Sequence, residues 1–326
     1  MTDPRTEPIR RRRVDVGTAE LDVLEAGDPG SPVIVLSHGF PESSWSWRHQ
    51  IPALAAAGYH VLAPDQRGYG RSSAPEEVTA YGIGPLTGDL LNLVDTTGQR
   101  DAVFMGHDWG ALIVWDLAKL HPERCRAVVG LSVPFVHWPA PPTQLMKAVY
   151  TDRFFYILYF QQVGPAETEM EADVANTMRR VLWGASGEGF TGPRGELPPM
   201  EGSGFLTQTV EPPPLPWSWL TKADFARYVD AFTASGYFGP ISYYRNLDAN
   251  FALLAGRGPE HATMPTYFVA GSRDVVLVMD PGGVERMSQT LPNFKGATII
   301  AGAGHWVQQE APAETNAALL AFLSTL

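Results

Sequence analysis

The stretch 102–120 constrains this chain more than any other. It reads Ala-Val-Phe-Met-Gly-His-Asp-Trp-Gly-Ala-Leu-Ile-Val-Trp-Asp-Leu-Ala-Lys-Leu: an apolar run of strand length, a polar centre between two glycines, then apolar residues at helical spacing. The run 102–105 suits a buried strand, while Ala111, Leu112, Val114, Trp115 and Ala118 suit a helix packed on a sheet and stopped before Pro122. Between them Gly106-His107-Asp108-Trp109-Gly110 has the layout of a nucleophile elbow. In that tight strand-to-helix turn, small flanking residues let the central residue take a strained conformation with its side chain exposed. Asp108 holds the nucleophile's place. A serine there attacks acyl carbons, whereas a carboxylate can displace a leaving group from an sp³ carbon and become an ester itself. The helix N-terminus favours the ionised form and offers backbone N–H groups to an oxyanion. The pentapeptide also fits an Asp N-cap, so residues elsewhere must decide.

Before the elbow, strands are expected at 14–16 and 21–24 as an antiparallel pair, with Gly17 near the turn. The run 33–36 is apolar throughout, as in a parallel-sheet strand buried on both faces. It leads into Ser37-His38-Gly39-Phe40-Pro41-Glu42, where Gly39 permits an unusual turn, Pro41 admits a cis peptide, and the Phe40 N–H is a candidate oxyanion donor. The alternative is an ordinary loop into a helix over 44–57. A strand at 59–63, a helix at 86–96 and a strand at 128–133 continue an alternating rhythm, which predicts an α/β fold with a mostly parallel sheet. Asp65-Gln66-Arg67-Gly68-Tyr69-Gly70-Arg71-Ser72 reads as a structural turn with local charge pairing. The rhythm stops at Pro134. Helical stretches at 151–162, 166–183 and 222–234 flank a Gly/Pro-rich passage over 184–216. Strands resume at 265–270 and 297–300, and an amphipathic helix at 313–323 closes the chain. The expected organisation is a core of residues 1–133 and 251–326 carrying an inserted helical lid, residues 134–250.

Two late loops settle the reading of the elbow. Gly271-Ser272-Arg273-Asp274 follows one resumed strand and Gly302-Ala303-Gly304-His305-Trp306 follows the last. Both fall on the side where open α/β sheets place their ligands. Of eight histidines only His305 sits in a Gly-x-Gly-His loop after a late strand. With Asp108 the chain order is nucleophile, acid, histidine, the order of an α/β-hydrolase triad.

Composition excludes other classes. At 326 residues with 44% hydrophobic and 18% charged residues, the chain suits a soluble enzyme with a large core. A net charge of −11 without a basic stripe argues against a nucleic-acid partner; the four arginines at 10–13 run straight into Val14 and read as a tail or an edge strand. No apolar N-terminal segment reads as a secretory signal and nothing has the length of a membrane span, so the expected location is the cytoplasm. The single cysteine, Cys125, has no disulfide partner and reads as structural despite Arg124 and Arg126. No metal-ligand spacing or nucleotide-binding fingerprint occurs, so neither metal nor cofactor is expected.

Over nearly its whole length, from His38-Gly39-Phe40-Pro41 through Gly106-His107-Asp108-Trp109-Gly110 to Gly304-His305-Trp306, the chain resembles the α/β-hydrolase-fold epoxide hydrolases, the soluble type and its actinobacterial relatives. The resemblance is to the hydrolase domain of the vertebrate enzymes, and their extra N-terminal phosphatase domain is not expected here. Leu158-Tyr159-Phe160-Gln161 and Tyr243-Tyr244-Arg245-Asn246 resemble the two lid segments that carry the family's ring-opening tyrosines. The resemblance implies Tyr159 and Tyr244 as that pair, with Tyr156 and Tyr243 as neighbours that read as lid packing. It further implies an alkyl-enzyme ester on Asp108, hydrolysis by water activated by His305 and oriented by Asp274, and an oxyanion held by the Phe40 and Trp109 backbone N–H groups. Phe135, Trp138 and Trp306 suggest an apolar epoxide as the small-molecule partner, and a homodimer stays open. The alternatives are a haloalkane or haloacetate dehalogenase using the same nucleophile, and a non-catalytic protein of this fold. Phe40 offers no side-chain donor to a halide, and an intact triad argues against a binding protein.

Overall fold

The computed structural model describes residues 9–192 and 196–326. Its framework is one eight-stranded sheet with strand order β1-β2-β4-β3-β5-β6-β7-β8. The strands are β1 (Arg10–Asp15), β2 (Glu20–Ala26), β3 (Val33–Ser37), β4 (His60–Asp65), β5 (Ala102–His107), β6 (Cys125–Leu131), β7 (Thr266–Gly271) and β8 (Phe294–Ile300). Pairs β1–β2 and β2–β4 are antiparallel and all the others parallel. Every residue of β3, β4 and β5 is buried. Side chains alternate between the faces: Val33, Val35, Ala102 and Phe104 join one apolar layer, and Ile34, Leu36, Val103 and Met105 the other. The expected strands are all present, and β1, β5, β6 and β8 differ most at their ends. The arginines at 10–13 form an edge strand, with Arg11 on Asp22 at 2.6 Å, Arg12 on Glu25 and Arg13 on Glu20. Such charges blunt a sheet edge.

Helices α1 (Gln50–Ala56) and α14 (Pro312–Leu323) cover one face, through Ile51, Leu54, Leu319 and Phe322; α2 (Ile83–Asp95) and α3 (Trp109–Leu120) cover the other, through Leu86, Leu90, Ile113 and Trp115. Between β6 and β7 the chain leaves the sheet and builds an insertion. It contains α4 (Pro142–Tyr150), α5 (Tyr156–Tyr159), α6 (Pro165–Glu171), α7 (Val174–Ala185), α8 (Lys222–Ser235), α9 (Phe238–Arg245) and α10 (Leu247–Leu253). After β7 come α11 (Val275–Met279) and α12 (Gly283–Thr290), and α13 (Val307–Glu310) follows β8.

Several helices depart from expectation. The helix expected over 44–57 is one 3₁₀ turn, Ser44–Trp47, followed by α1. The one expected over 151–162 shrinks to the single turn α5, because Thr151 sits at φ +48° and Phe155 is extended. The one expected over 166–183 is two helices, since Asp173 restarts the chain by accepting the Asn176 N–H at 2.9 Å. The Gly/Pro-rich passage holds no helix beyond the 3₁₀ turn Leu206–Gln208 among its described residues; Pro193 to Gly195 lie outside them. No helix among the described residues is long and apolar enough to cross a membrane.

Candidate active site

Asp108 ends β5 at φ 53°, ψ −118°, a conformation that non-glycine residues rarely adopt. Holding it costs about 1–3 kcal/mol. The flanking glycines make the turn: a Cβ on Gly106 would stand 2.0 Å from the Gly110 carbonyl oxygen, and one on Gly110 would stand 1.9 Å from that of Ser37. The N-cap alternative fails for the side chain. The Asp108 carbonyl accepts the Ala111 and Leu112 N–H groups, but its carboxylate makes no cap bond to α3.

That carboxylate is held at both oxygens. Oδ1 accepts the Phe40 N–H at 2.7 Å, and Oδ2 lies 3.5 Å from His305 Nε2. His305 Nδ1 in turn lies 3.0 Å from Asp274 Oδ1. Asp274 is fully buried at the N-cap of α11, where Oδ1 also accepts the Val276 N–H at 2.9 Å. The elbow, the loop after β3, the loop after β7 and the loop after β8 thus bring Asp108, Phe40, Asp274 and His305 together at one edge of the sheet. The Phe40–Pro41 peptide is cis.

Electrostatics follow from this geometry. Burial works against an ionised Asp108, but the His305 side chain and the Phe40 N–H outweigh it and hold the carboxyl below its usual range. Burial likewise disfavours a charged His305, yet Asp274 and Asp108 override it and hold the imidazole well above its usual range. Each group thus favours the charged form of the other.

Backbone contacts fix His305 further. Its carbonyl accepts the Ser132 Oγ–H at 2.7 Å and lies 2.7 Å from His107 Nε2; His107 Nδ1 lies 2.7 Å from Glu42 Oε2. Gln309 Nε2 donates to Glu42 Oε1 at 2.7 Å. All of these are buried. His107 was legible only as the residue before Asp108, because no spacing rule links it to Glu42 or to a loop nearly two hundred residues away.

The insertion supplies aromatic rings. Tyr244, on α9, packs edge-on against Trp109 at 5.0 Å and Phe40 at 5.7 Å between centroids. Tyr156, on α5, packs against Tyr244 at 5.8 Å. Burial and then the Asp108 carboxylate raise the Tyr156 phenol; burial, then Tyr156 and Asp108, raise that of Tyr244, which the Trp109 side chain opposes. Both shifts favour the neutral phenol, and the Asp108 carboxylate contributes to each. Tyr159, the expected partner of Tyr244, is engaged elsewhere. Its hydroxyl donates to Glu169 Oε2 at 3.0 Å, and Glu169 also accepts the Phe205 and Leu206 N–H groups. No spacing rule separated the two, because Tyr156 and Tyr159 lie on the single turn α5. Tyr243 is packing, as expected, with its hydroxyl on the Arg67 carbonyl at 2.8 Å.

The three aromatic pocket candidates separate. Trp138 lines a cavity of about 280 Å³ with Trp109, Leu112, Trp115 and Phe251. Phe135 is buried edge-on against Trp115. Trp306 is buried too, its Nε1–H on the Leu182 carbonyl at 2.7 Å and its ring 4.7 Å from that of His305. It packs directly beside the histidine, whereas the cavity at Trp138 is lined by neither Asp108 nor His305. Burial raises the Cys125 thiol, which leaves it unreactive. Among the described residues no three His, Cys, Asp or Glu gather to hold a metal ion.

Comparison with known proteins agrees with this architecture. Residues 32–162 match the family model described as the alpha/beta hydrolase fold. The chain is 45% identical to epoxide hydrolase A of Mycobacterium tuberculosis over 97% of both sequences, and 39% identical to epoxide hydrolase B of that organism over 92% of this chain and 93% of the relative. It is 38% identical over 94% of its length to the pig bifunctional epoxide hydrolase 2, of which it spans 53%. The crystal structure of epoxide hydrolase A from Mycobacterium thermoresistibile superposes with a TM-score of 0.90 at 46% identity, covering 97% of this chain and 98% of that one. With relatives of that identity over almost its full length, and a carboxylate instead of a serine at the elbow, the chain belongs to the epoxide hydrolases of the α/β-hydrolase fold.

Proposed function

We propose that the chain converts an apolar epoxide to a vicinal diol in two steps centred on Asp108, under a lid formed by residues 134–250 on a core of residues 1–133 and 251–326. The observation that carries this reading is the Asp108 carboxylate itself: one oxygen on the Phe40 N–H, the other toward His305, with the Tyr244 ring packed on Trp109 and Phe40 and the Tyr156 ring on Tyr244. In the first step Asp108 Oδ2 attacks an oxirane carbon, the C–O bond breaks, and the departing alkoxide takes a proton from a tyrosine hydroxyl. Phenols suit this task because they hold and protonate an oxygen without carrying charge.

Forming the ester removes the negative charge of Asp108. His305 then loses one of the two carboxylates that favour its protonation, its pKa falls, and its proton passes to the tyrosinate left by ring opening, which restores the phenol and leaves His305 neutral and able to act as a base. In the second step His305, oriented by Asp274, takes a proton from water, and the hydroxide attacks the carboxyl carbon of Asp108. The oxyanion forms at Oδ1, where the Phe40 N–H already points, with the Trp109 N–H as second donor. Collapse releases the diol, whose new oxygen comes from Asp108, while the solvent oxygen remains on the enzyme.

A single turnover in heavy-oxygen water with enzyme in excess tests the covalent route. The diol is expected to stay light and the peptide containing Asp108 to gain the label. A heavy diol with an unlabelled peptide would mean that Asp108 acts as a general base on water.

A further inference from the structure

Glu310, at the end of α13, has no part in the chemistry just described, yet it is bonded to the loop that carries His305. Its Oε1 accepts the Trp306 N–H at 3.0 Å, and its Oε2 accepts the Gly304 N–H at 3.0 Å and the Gly187 N–H at 2.7 Å. Gly304 and Trp306 flank His305; Gly187 belongs to the insertion, just beyond α7. One carboxylate therefore ties the base-bearing loop to the lid. Burial raises the Glu310 carboxyl although these three N–H groups and His305 pull it the other way. In so desolvated a place each such bond counts for more than it would in water.

The seam around Glu310 is built for close approach. The His305 N–H donates to the Ala185 carbonyl at 2.9 Å, and Trp306 Nε1–H to that of Leu182, both at the end of α7. A Cβ on Gly187 would stand 2.2 Å from the Gly302 carbonyl oxygen, and one on Gly304 would stand 2.1 Å from the Gly187 nitrogen. The two backbones meet where no side chain fits. The peptide N–H groups at 304, 305 and 306 thus end on Glu310 or on α7, while the His305 carbonyl is fixed from the core by Ser132 and His107.

We propose that Glu310 is a positioning residue that fixes His305 against the seated lid, so that hydrolysis of the ester, but not its formation, depends on this joint. The proposal rests on the two-step reading above. Alkylation needs Asp108 and two phenols, none of which Glu310 touches. Hydrolysis needs His305 aligned with a water and the ester carbon, and a misplacement of about 1 Å in such an alignment can cost about 10²-fold.

The test measures both half-reactions with styrene oxide, following ester formation and decay by rapid acid quench and intact-mass spectrometry, in His305→Gln, Glu310→Ala, Glu310→Gln and Gly187→Ala. His305→Gln is the reference and should accumulate the ester. Glu310→Ala is expected to form the ester at the wild-type rate and to hydrolyse it about 10²-fold more slowly. Glu310→Gln keeps one carbonyl acceptor and should fall between the two. Gly187→Ala wedges the seam while keeping the Glu310 carboxylate itself, and should slow hydrolysis selectively as well, which keeps the proposal testable if Glu310→Ala fails to fold. Equal losses in both half-reactions, or normal hydrolysis in the Glu310 variants while His305→Gln accumulates ester, would overturn the proposal and leave the two-step reading standing. If His305→Gln itself releases diol normally, the two-step reading falls and this proposal with it.

Discussion

The two halves of this active site are specified in different ways. On the core side, Phe40, Asp108, Asp274 and His305 each stand just beyond the end of a strand, and the parallel register of β3, β5, β7 and β8 brings those ends together. Their positions follow from backbone hydrogen bonding and from glycines where no Cβ fits. On the lid side, Tyr156 and Tyr244 are carried by one-turn α5 and two-turn α9, and which ring packs toward Trp109 and Phe40 depends on how each short helix is rotated by its neighbours. A shift of one residue along a strand end would dismantle the triad. A modest rotation of α5 would exchange Tyr156 for Tyr159.

The largest expected effect tests the core half. Asp108→Asn should abolish ester formation, since the amide is no nucleophile. His305→Gln should form the ester normally and hydrolyse it at least about 10³-fold more slowly, within the range that a general base contributes. Mass spectrometry of the quenched enzyme distinguishes the two. A His305→Gln enzyme that turned over normally would break the assignment of the core half.

The next effect separates two residues three apart on the same turn. Tyr156→Phe and Tyr244→Phe should each slow ester formation by about 10²–10³, the scale of a lost oxyanion donor, and the double variant should lose it almost entirely. Tyr159→Phe should leave it near the wild-type rate, because its hydroxyl is engaged by Glu169. The opposite ranking in single-turnover alkylation would restore Tyr159 to the site.

This contrast also explains what could be read from the amino acids. The elbow announced itself because Gly106 and Gly110 are sterically obligatory, and Asp274 and His305 because each follows an apolar strand run. The sheet was legible almost strand for strand. The lid was not: α4, α9 and α10 were missed altogether, and the division between α6 and α7 turns on Asp173, a capping residue inside what looked like one helical run. The family resemblance pointed to a segment in which Tyr156 and Tyr159 lie within one turn, and only the three-dimensional packing puts Tyr156 against Tyr244 and Tyr159 against Glu169. Nor does sequence say which aromatic is wall and which is brace. Trp138 lines a cavity, whereas Trp306 is tied by its indole N–H to the Leu182 carbonyl. The contacts of His305 with Ser132, His107 and Glu310 join distant segments through backbone atoms, which have no signature in side-chain spacing.

A smaller, pH-dependent effect sharpens the difference between the half-reactions. Asp108 is held below its usual range, so lowering the pH from neutrality leaves the nucleophile ionised and ester formation unaffected until well into the acid range. His305 must be neutral to hydrolyse the ester, and each fall in pH protonates more of it; hydrolysis should therefore slow as pH drops through the His305 pKa of the alkyl-enzyme. Ester should accumulate at steady state on the acid side. Asp274 supplies the largest upward influence on His305, so Asp274→Asn should move this limb to lower pH as well as slow the step. An ester fraction that did not change with pH would mean that His305 is not the titrating base.

The smallest expected effect concerns stability and returns to Tyr159. If its role is to brace the lid, its loss should appear in unfolding and not in catalysis. The Tyr159 hydroxyl donates to a carboxylate that also receives the Phe205 and Leu206 N–H groups, so Glu169 pins the segment leading into the 3₁₀ turn Leu206–Gln208 against α5 and α6. Replacing Tyr159 by Phe removes one of three donors and leaves the ring, which packs against Phe154 at 5.5 Å, in place. The partner carboxylate keeps two N–H groups, so no buried charge is stranded, and the expected cost is about 1 kcal/mol. It should appear as a lower urea midpoint with an unchanged slope. Glu169→Ala removes the acceptor for all three donors and should cost more. A Tyr159→Phe protein as stable as wild type but slower to alkylate would place this phenol on the substrate side of the lid after all.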